Sequence, residues 1–275
     1  CGGAGIVATH VRNLGANCKL ISVIGKDSNG EFIKERIKEE NIEDGLIVDE
    51  TRPTTFKKRY VVENQKLFRV TRLEQSELNK HIEEKVIMQL EDSAKNAHAI
   101  IISDFVYGVI TPNVLKKIIE LAEKYKLYLF GDLQCSSQIG SIMKFKGFSL
   151  LCPNEREARI ALHEKSLDLE ALSLKIIKET NADKLIMKLG SDGFIAYEKA
   201  NKKIKSQPFP ALCANPIDVA GAGDSLLAVM SVGLSSSQDM MKTAAIACCM
   251  TSLAVRRMGN KPIKSEEWEI NLLKV

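Results

Sequence analysis

The residues best equipped for chemistry are Asp218-Val219-Ala220-Gly221-Ala222-Gly223-Asp224, which run directly into the apolar stretch Ser225-Leu226-Leu227-Ala228-Val229-Met230. Small residues let a backbone turn sharply and approach a ligand, and the first turn of the helix that follows leaves N–H donors unpaired at the same spot. Gly221, Ala222 and Gly223 therefore outline an anion hole. Asp224 sits inside it. A carboxylate there repels a phosphate unless its task is to take a proton from a hydroxyl that attacks as the phosphate arrives. The same residues also make an ordinary glycine turn with an acid that favours the helix dipole, so alone they leave both readings open.

Two other groups have chemical spacing. Asn154 and Glu157 stand one helical turn apart in Cys152-Pro153-Asn154-Glu155-Arg156-Glu157. An amide and a carboxylate so placed can hold hydrated Mg²⁺ through water, or can simply cap the helix. Lys188-Leu189-Gly190-Ser191-Asp192-Gly193 follows an apolar strand and reads equally as a ligand border or a hairpin. No GxxxxGK[ST] and no GxSxG occur, and Gly221-Ala222-Gly223 lacks the third glycine of a dinucleotide fingerprint. The four histidines are scattered and read as surface or core residues.

The elements that must position these groups alternate along the chain. A glycine-rich start, Gly2-Gly3-Ala4-Gly5, opens a helix, and strands are expected at 18–24, 99–102, 127–130, 148–151, 185–188 and 194–197. Helices fall between them, including one begun by Thr111-Pro112 and a long one from Met240 to Arg257. Short apolar strands without polar alternation argue for an α/β fold with a mostly parallel sheet covered on both faces. Ligands bind such sheets at the C-terminal strand ends, where Asp104, Asp132, Asn154 and Gly190 fall. Residues 46–75 break the alternation with short strands, the last two joined at Glu63-Asn64-Gln65, and read as a small β insertion.

The composition is that of a globular protein, with 275 residues, 45% of them apolar and 27% charged. A net charge of +4, spread along the chain, gives no reason to expect nucleic acid or a membrane surface as partner. A cytoplasmic location is expected, since there is no long apolar run, and the seven cysteines lack CxxC spacing and read as reduced thiols.

In their order and combination these motifs resemble the ribokinase-like, or PfkB, carbohydrate kinases. The matching residues are Gly2-Gly3-Ala4 with Leu14-Gly15, Gly25-Lys26-Asp27 with Gly30, Asn154-x-x-Glu157, Lys188-x-Gly190-x-x-Gly193 and Asp218 to Asp224. Arg52-Pro53-Thr54-Thr55-Phe56-Lys57-Lys58-Arg59 and Asn64-Gln65-Lys66-Leu67-Phe68-Arg69 look like the lid of the heptose 7-phosphate kinases of lipopolysaccharide precursor synthesis.

The resemblance implies a single three-layer α/β/α domain over 1–275 with a β lid at 46–75, its first strand lying before residue 1. It also implies ATP and Mg²⁺. Asp224 would be the general base, the N–H groups of Gly221, Ala222 and Gly223 would stabilise the moving charge, Asn154 and Glu157 would hold Mg²⁺, and Lys188, Gly190, Gly193 and Asn154 would border the nucleotide. Gly2, Gly3, Lys57, Arg59, Arg69 and Asp104 would meet a sugar or sugar phosphate, and the lid strands could pair two copies into a homodimer. The chain departs from the pattern at Ile6, Thr71, Tyr107 and Gln134, where Asn, Asp, Lys and Lys are usual. These positions keep open a kinase for another sugar or nucleoside, or a catalytically weakened module that binds nucleotide or sugar.

Overall fold

Alternation begins at the first residues: helix α1 (Ala4–Asn13) leads through strand β1 (Lys19–Ile24) and helix α2 (Ser28–Glu39) to strand β2 (Glu43–Val48). The computed structural model describes residues 1–62, 65–135, 140–200 and 203–272. β1 and β2 pair in parallel, with Ser22 opposite Leu46. Gly45 permits the close approach, because a methyl group there would stand 2.9 Å from the Leu20 carbonyl oxygen. Residues 46–48 therefore belong to the α/β body, and the expected lid boundary at 46 moves to the hairpin that follows. Ile47 is drawn inward by the main apolar core.

That hairpin consists of β3 (Phe56–Val62) and β4 (Gln65–Arg72), antiparallel with Arg59 opposite Arg69 and Tyr60 opposite Phe68. Glu63 and Asn64, expected from the sequence to join these strands, lie outside the described residues. Because cross-strand neighbours share a face, Lys57, Arg59, Arg69 and Thr71 lie on one side and Phe56, Lys58, Tyr60, Phe68 and Val70 on the other.

From there the alternation runs α3 (Lys80–Ala94), β5 (Ala99–Asp104), α4 (Pro112–Tyr125), β6 (Tyr128–Leu133), β7 (Leu150–Leu151), α5 (Glu155–Leu162), α6 (Leu169–Thr180), β8 (Lys184–Lys188) and β9 (Phe194–Ala200). Strand β10 (Lys203–Phe209) and helices α7 (Ala222–Ser235), α8 (Met240–Ala254) and α9 (Ser265–Leu272) complete it. The main sheet has the order β10-β9-β8-β7-β6-β5, parallel from β8 to β5 and antiparallel at β9 and β10. β10 escapes a search for apolar strands because Lys203, Ile204, Lys205, Ser206 and Gln207 are exposed at a sheet edge.

Strand alternation divides the core in two. Leu129, Leu133, Leu151, Leu185 and Met187 join Val86, Leu90, Val114, Ile118, Leu172 and Ile176 of α3, α4 and α6. Phe130, Leu150 and Ile186 join Val7, Val11, Leu227, Met230, Ala244 and Ala247 of α1, α7 and α8. Helices thus cover both faces, as expected of a three-layer fold. The long sequence-expected helix from Met240 ends at Ala254, three residues short of Arg257.

The root of the hairpin is tied to the body. The Thr54 Oγ1 accepts from the Gly25 N–H at 2.9 Å, and the Thr54 N–H donates to Asp27 Oδ2 at 2.9 Å. Asp27 also caps α2 through the Gly30 N–H. Arg52 spans the opening, donating to Asp49 Oδ2 before the hairpin and to the Ser76 and Glu77 carbonyls after it. The Gly25-Lys26-Asp27 and Gly30 pattern thus builds the seat of the lid. Thr54→Val retains shape but leaves the Gly25 N–H unpaired in a buried place. It is expected to lower unfolding free energy by about 1–3 kcal/mol in denaturant titration; an unchanged midpoint would show the bond to be dispensable.

Candidate active site

Residues two apart on a strand share a face, so Asp132 follows Phe130 and Lys188 follows Ile186 toward the α7 layer. Both stand at C-terminal strand ends. There Lys188 Nζ donates to Asp132 Oδ1 at 2.8 Å, with Asp132 wholly buried. Burial acts to lower the Lys188 pKa, but the Asp132 and Glu157 carboxylates outweigh it and hold the ammonium above its ordinary range.

Above this pair lies the N-terminus of α7. Gly221 is its N-cap residue, at φ 89° and with no side-chain cap, so no capping side chain takes up the first-turn N–H groups. Asp218 shapes the approach, accepting from the Ala220 N–H at 2.9 Å and the Gly259 N–H at 3.1 Å. The second bond draws the 255–260 turn against the loop, where Asn260 packs so closely that a methyl group on Gly221 would stand 2.0 Å from its Oδ1.

Asp224, in the first turn of α7, is 5% exposed. Gln134 Nε2 donates to its Oδ1 at 2.9 Å and Asn260 Nδ2 to its Oδ2 at 3.0 Å. Burial, then the Asp132 charge, raise its pKa to about 6, against the pull of Asn260, Gln134 and Lys188. An oriented carboxylate with proton affinity near neutrality, at the edge of an anion hole, is suited to general base chemistry.

Asn154 and Glu157 form a capping box: Asn154 Oδ1 accepts from the Glu157 N–H at 2.8 Å and Glu157 Oε2 from the Asn154 N–H at 2.9 Å. Glu157 Oε1 accepts from the Cys135 N–H at 3.2 Å. Burial raises the Glu157 pKa, against the Lys188 charge. Among the described residues no three His, Cys, Asp or Glu side chains converge as a metal site. An amide beside a carboxylate is a donor set compatible with a hydrated Mg²⁺ touched through water.

One cavity of about 2000 Å³ unites these groups. Gly221, Ala222, Gly223, Asp224, Asn154, Glu157, Lys188, Gly190 and Gly193 line it, as do Gln134 and Asn260. Gly190 and Gly193 form the tight turn between antiparallel β8 and β9, as the hairpin reading expects, and both line the cavity. A methyl group on Gly193 would stand 2.1 Å from the Phe209 carbonyl oxygen. Cys248, Thr251 and Ser252 bring α8 to the wall.

At the other end Gly2, Gly3, Lys57, Arg59 and Asp104 line the same cavity. Arg69 shares the hairpin face of Arg59 but is outside this lining. Asp104 is buried, accepting from the Val106 N–H at 2.8 Å and from Lys144 Nζ at 2.5 Å. Lys57 Nζ stands 4.9 Å from the Phe105 ring centroid and 5.0 Å from that of Tyr107. Ile6, by contrast, is buried in the body and absent from the cavity wall.

The sequence placed Asp132 at a ligand-facing strand end and flagged Gln134 as a departure without giving either a role, and it missed Asn260. An acid ending an apolar strand signals Asp132, and departure from a resemblance flags Gln134. Asn260 carries no local signal, because its contact spans 36 positions.

The chain matches the description "pfkB family carbohydrate kinase" over residues 1–267. It is 29% identical over 271 residues to the bifunctional protein HldE of a Nitratiruptor species, covering 98% of this chain and 56% of that protein. It is 31% identical to the bifunctional protein HldE of Helicobacter acinonychis (strain Sheeba), covering 97% of this chain and 57% of the relative. The chain thus spans little more than half the length of these relatives. Among solved structures, phosphofructokinase-2 from Escherichia coli in complex with substrates and products superposes with a TM-score of 0.81 at 16% identity, over 98% of this chain and 86% of that one. Ribokinase from Thermotoga maritima gives 0.76 at 19% identity, over 98% and 86%. These structures share the ribokinase-like fold. This chain belongs to the pfkB family of carbohydrate kinases.

Proposed function

We infer that this carbohydrate kinase transfers the γ-phosphoryl group of ATP to a hydroxyl of a phosphorylated sugar, with heptose 7-phosphate as the first acceptor to test. The observation that carries the reading is Asp224, buried and oriented beside the uncapped N-terminus of α7, with its pKa raised to about 6. Asp224 takes the acceptor hydroxyl proton as the new O–Pγ bond forms and the Pγ–O bond to ADP breaks. The backbone N–H groups of residues 221–224 stabilise charge on the transferring group. Asn154 and Glu157 would hold Mg²⁺, which when bound would supply charge neutralisation for the phosphates. Lys188, Gly190 and Gly193 border the nucleotide.

The cationic lid face supports a phosphorylated acceptor. Lys57, Arg59 and Arg69 share that face, and Lys57 and Arg59 reach the cavity. Arginine offers a fork of donors that matches phosphate. The lid residues' resemblance to the heptose 7-phosphate kinases supports heptose as the sugar. The opposite lid face supports a homodimer: Tyr60 and Phe68 stack at 4.5 Å between centroids, and Phe68 is 57% exposed, an apolar patch suited to a second copy.

Asp224→Asn is expected to reduce kcat by about 10²- to 10⁴-fold with ATP affinity nearly intact. Steady-state assays of ADP release with heptose 7-phosphate and a panel of other sugars and nucleosides check both the base and the acceptor. Equal turnover by the variant would refute the base, and activity with a different acceptor would replace heptose. Because the base works only when deprotonated, kcat/KM for the sugar should rise about tenfold per pH unit below pH about 6 and level off above it. A profile flat from pH 5 to 8 would contradict this. Phe68→Glu should convert a dimer to a monomer in sedimentation velocity; a monomeric parent protein would dismiss the lid-mediated dimer.

A further inference from the structure

We propose that Lys188 is the cation that meets the terminal phosphoryl group of the nucleotide, and that Asp132 is the positioning residue that keeps it beside the anion hole until that group arrives. This deepens the kinase reading above and rests on it.

Three observations carry the inference. The first is location. A methyl group built on Gly223 would stand 3.5 Å from Lys188 Nζ and 3.9 Å from Asp132 Oδ2, so the ion pair lies against the floor of the anion hole. The second is orientation. Lys188 lines the cavity whereas Asp132 does not, so an anion entering the hole meets the ammonium with the carboxylate behind it. The third is electrostatic cost. The N-terminus of a helix carries positive partial charge and disfavours a neighbouring cation. An ammonium under the first turn of α7 is tolerated because Asp132 balances it at 2.8 Å. A pair needed only for packing gains nothing from this position, since buried ion pairs contribute little net stability.

Asp132 also faces the proposed base. Gln134 Nε2 is 2.9 Å from Asp224 Oδ1 and 3.5 Å from Asp132 Oδ2, so one amide nitrogen stands between the two carboxylates. When a phosphoryl group enters, Lys188 can share its donors between that group and Asp132, and the repulsion between phosphate and the two acids falls. Lys188 exchanges no proton in the reaction. It supplies charge and hydrogen bonds as the Pγ–O bond to ADP breaks and the bond to the acceptor oxygen forms.

The test compares ATP with ADP, which differ by the group in question. Calorimetric titration of the purified protein with Mg-ATP and with Mg-ADP is carried out for the parent, Lys188→Met, Lys188→Arg and Asp132→Asn, each first shown by thermal melting to be folded. Lys188→Met is expected to weaken ATP by about tenfold or more and ADP by less than about twofold. Lys188→Arg should restore most of the ATP preference, and Asp132→Asn should lose part of it. If Lys188→Met fails to fold, the Arg and Asn variants still decide the matter through the ATP-to-ADP ratio. Parallel losses for both nucleotides, or a ratio unchanged in every variant, would overturn the inference while leaving the kinase reading in place. A parent protein that binds neither nucleotide would overturn the kinase reading and this inference with it.

Discussion

A β-strand shows only every second residue to each face, and the site depends on that constraint. Phe130 and Ile186 must face α7 to build its core, and the same parity delivers Asp132 and Lys188 to the place where β6 and β8 end. A one-residue slip in either strand would bury the charge among Leu172 and Ile176 on the other face. Packing and chemistry are therefore specified by the same pattern.

The opposing demands of the site are met by geometry. In the proposed reaction a base near a phosphate must be negative, yet the hole must attract negative charge. Asp224 is held by two neutral amides, Gln134 and Asn260, which orient it without cancelling its charge. The ammonium stands lower, paired with Asp132. Asp218 joins the two halves by holding Gly259 beside the glycine loop, which brings Asn260 within reach of Asp224 from 36 residues away.

Much of this was legible in the chain. Alternating apolar runs announced the parallel strands, and Gly221-Ala222-Gly223-Asp224 announced the glycine turn that opens α7. Asn154 and Glu157 were legible as two things at once, a cap and a cation site, and the capping bonds are those the structure displays. What stayed hidden depends on pairing across long separations. Residues 46–48 read as part of the insertion because their parallel partner lies in β1, about two dozen positions upstream. Solvent erased the apolar signal of β10, and Asn260 sits in a turn without pattern.

Arg52 and Thr54 together fasten the root of the lid hairpin to the body, which leaves the hairpin a lever held at its base. Strands lengthen by about 3.3 Å per residue, so Val62, ten positions beyond Arg52, lies about twice as far along the hairpin from its root as Lys57, five positions beyond. A given rotation at that root would displace Lys57 about half as far as Val62. Precise contacts thus fall near the pivot, and forgiving ones fall where the travel is greatest.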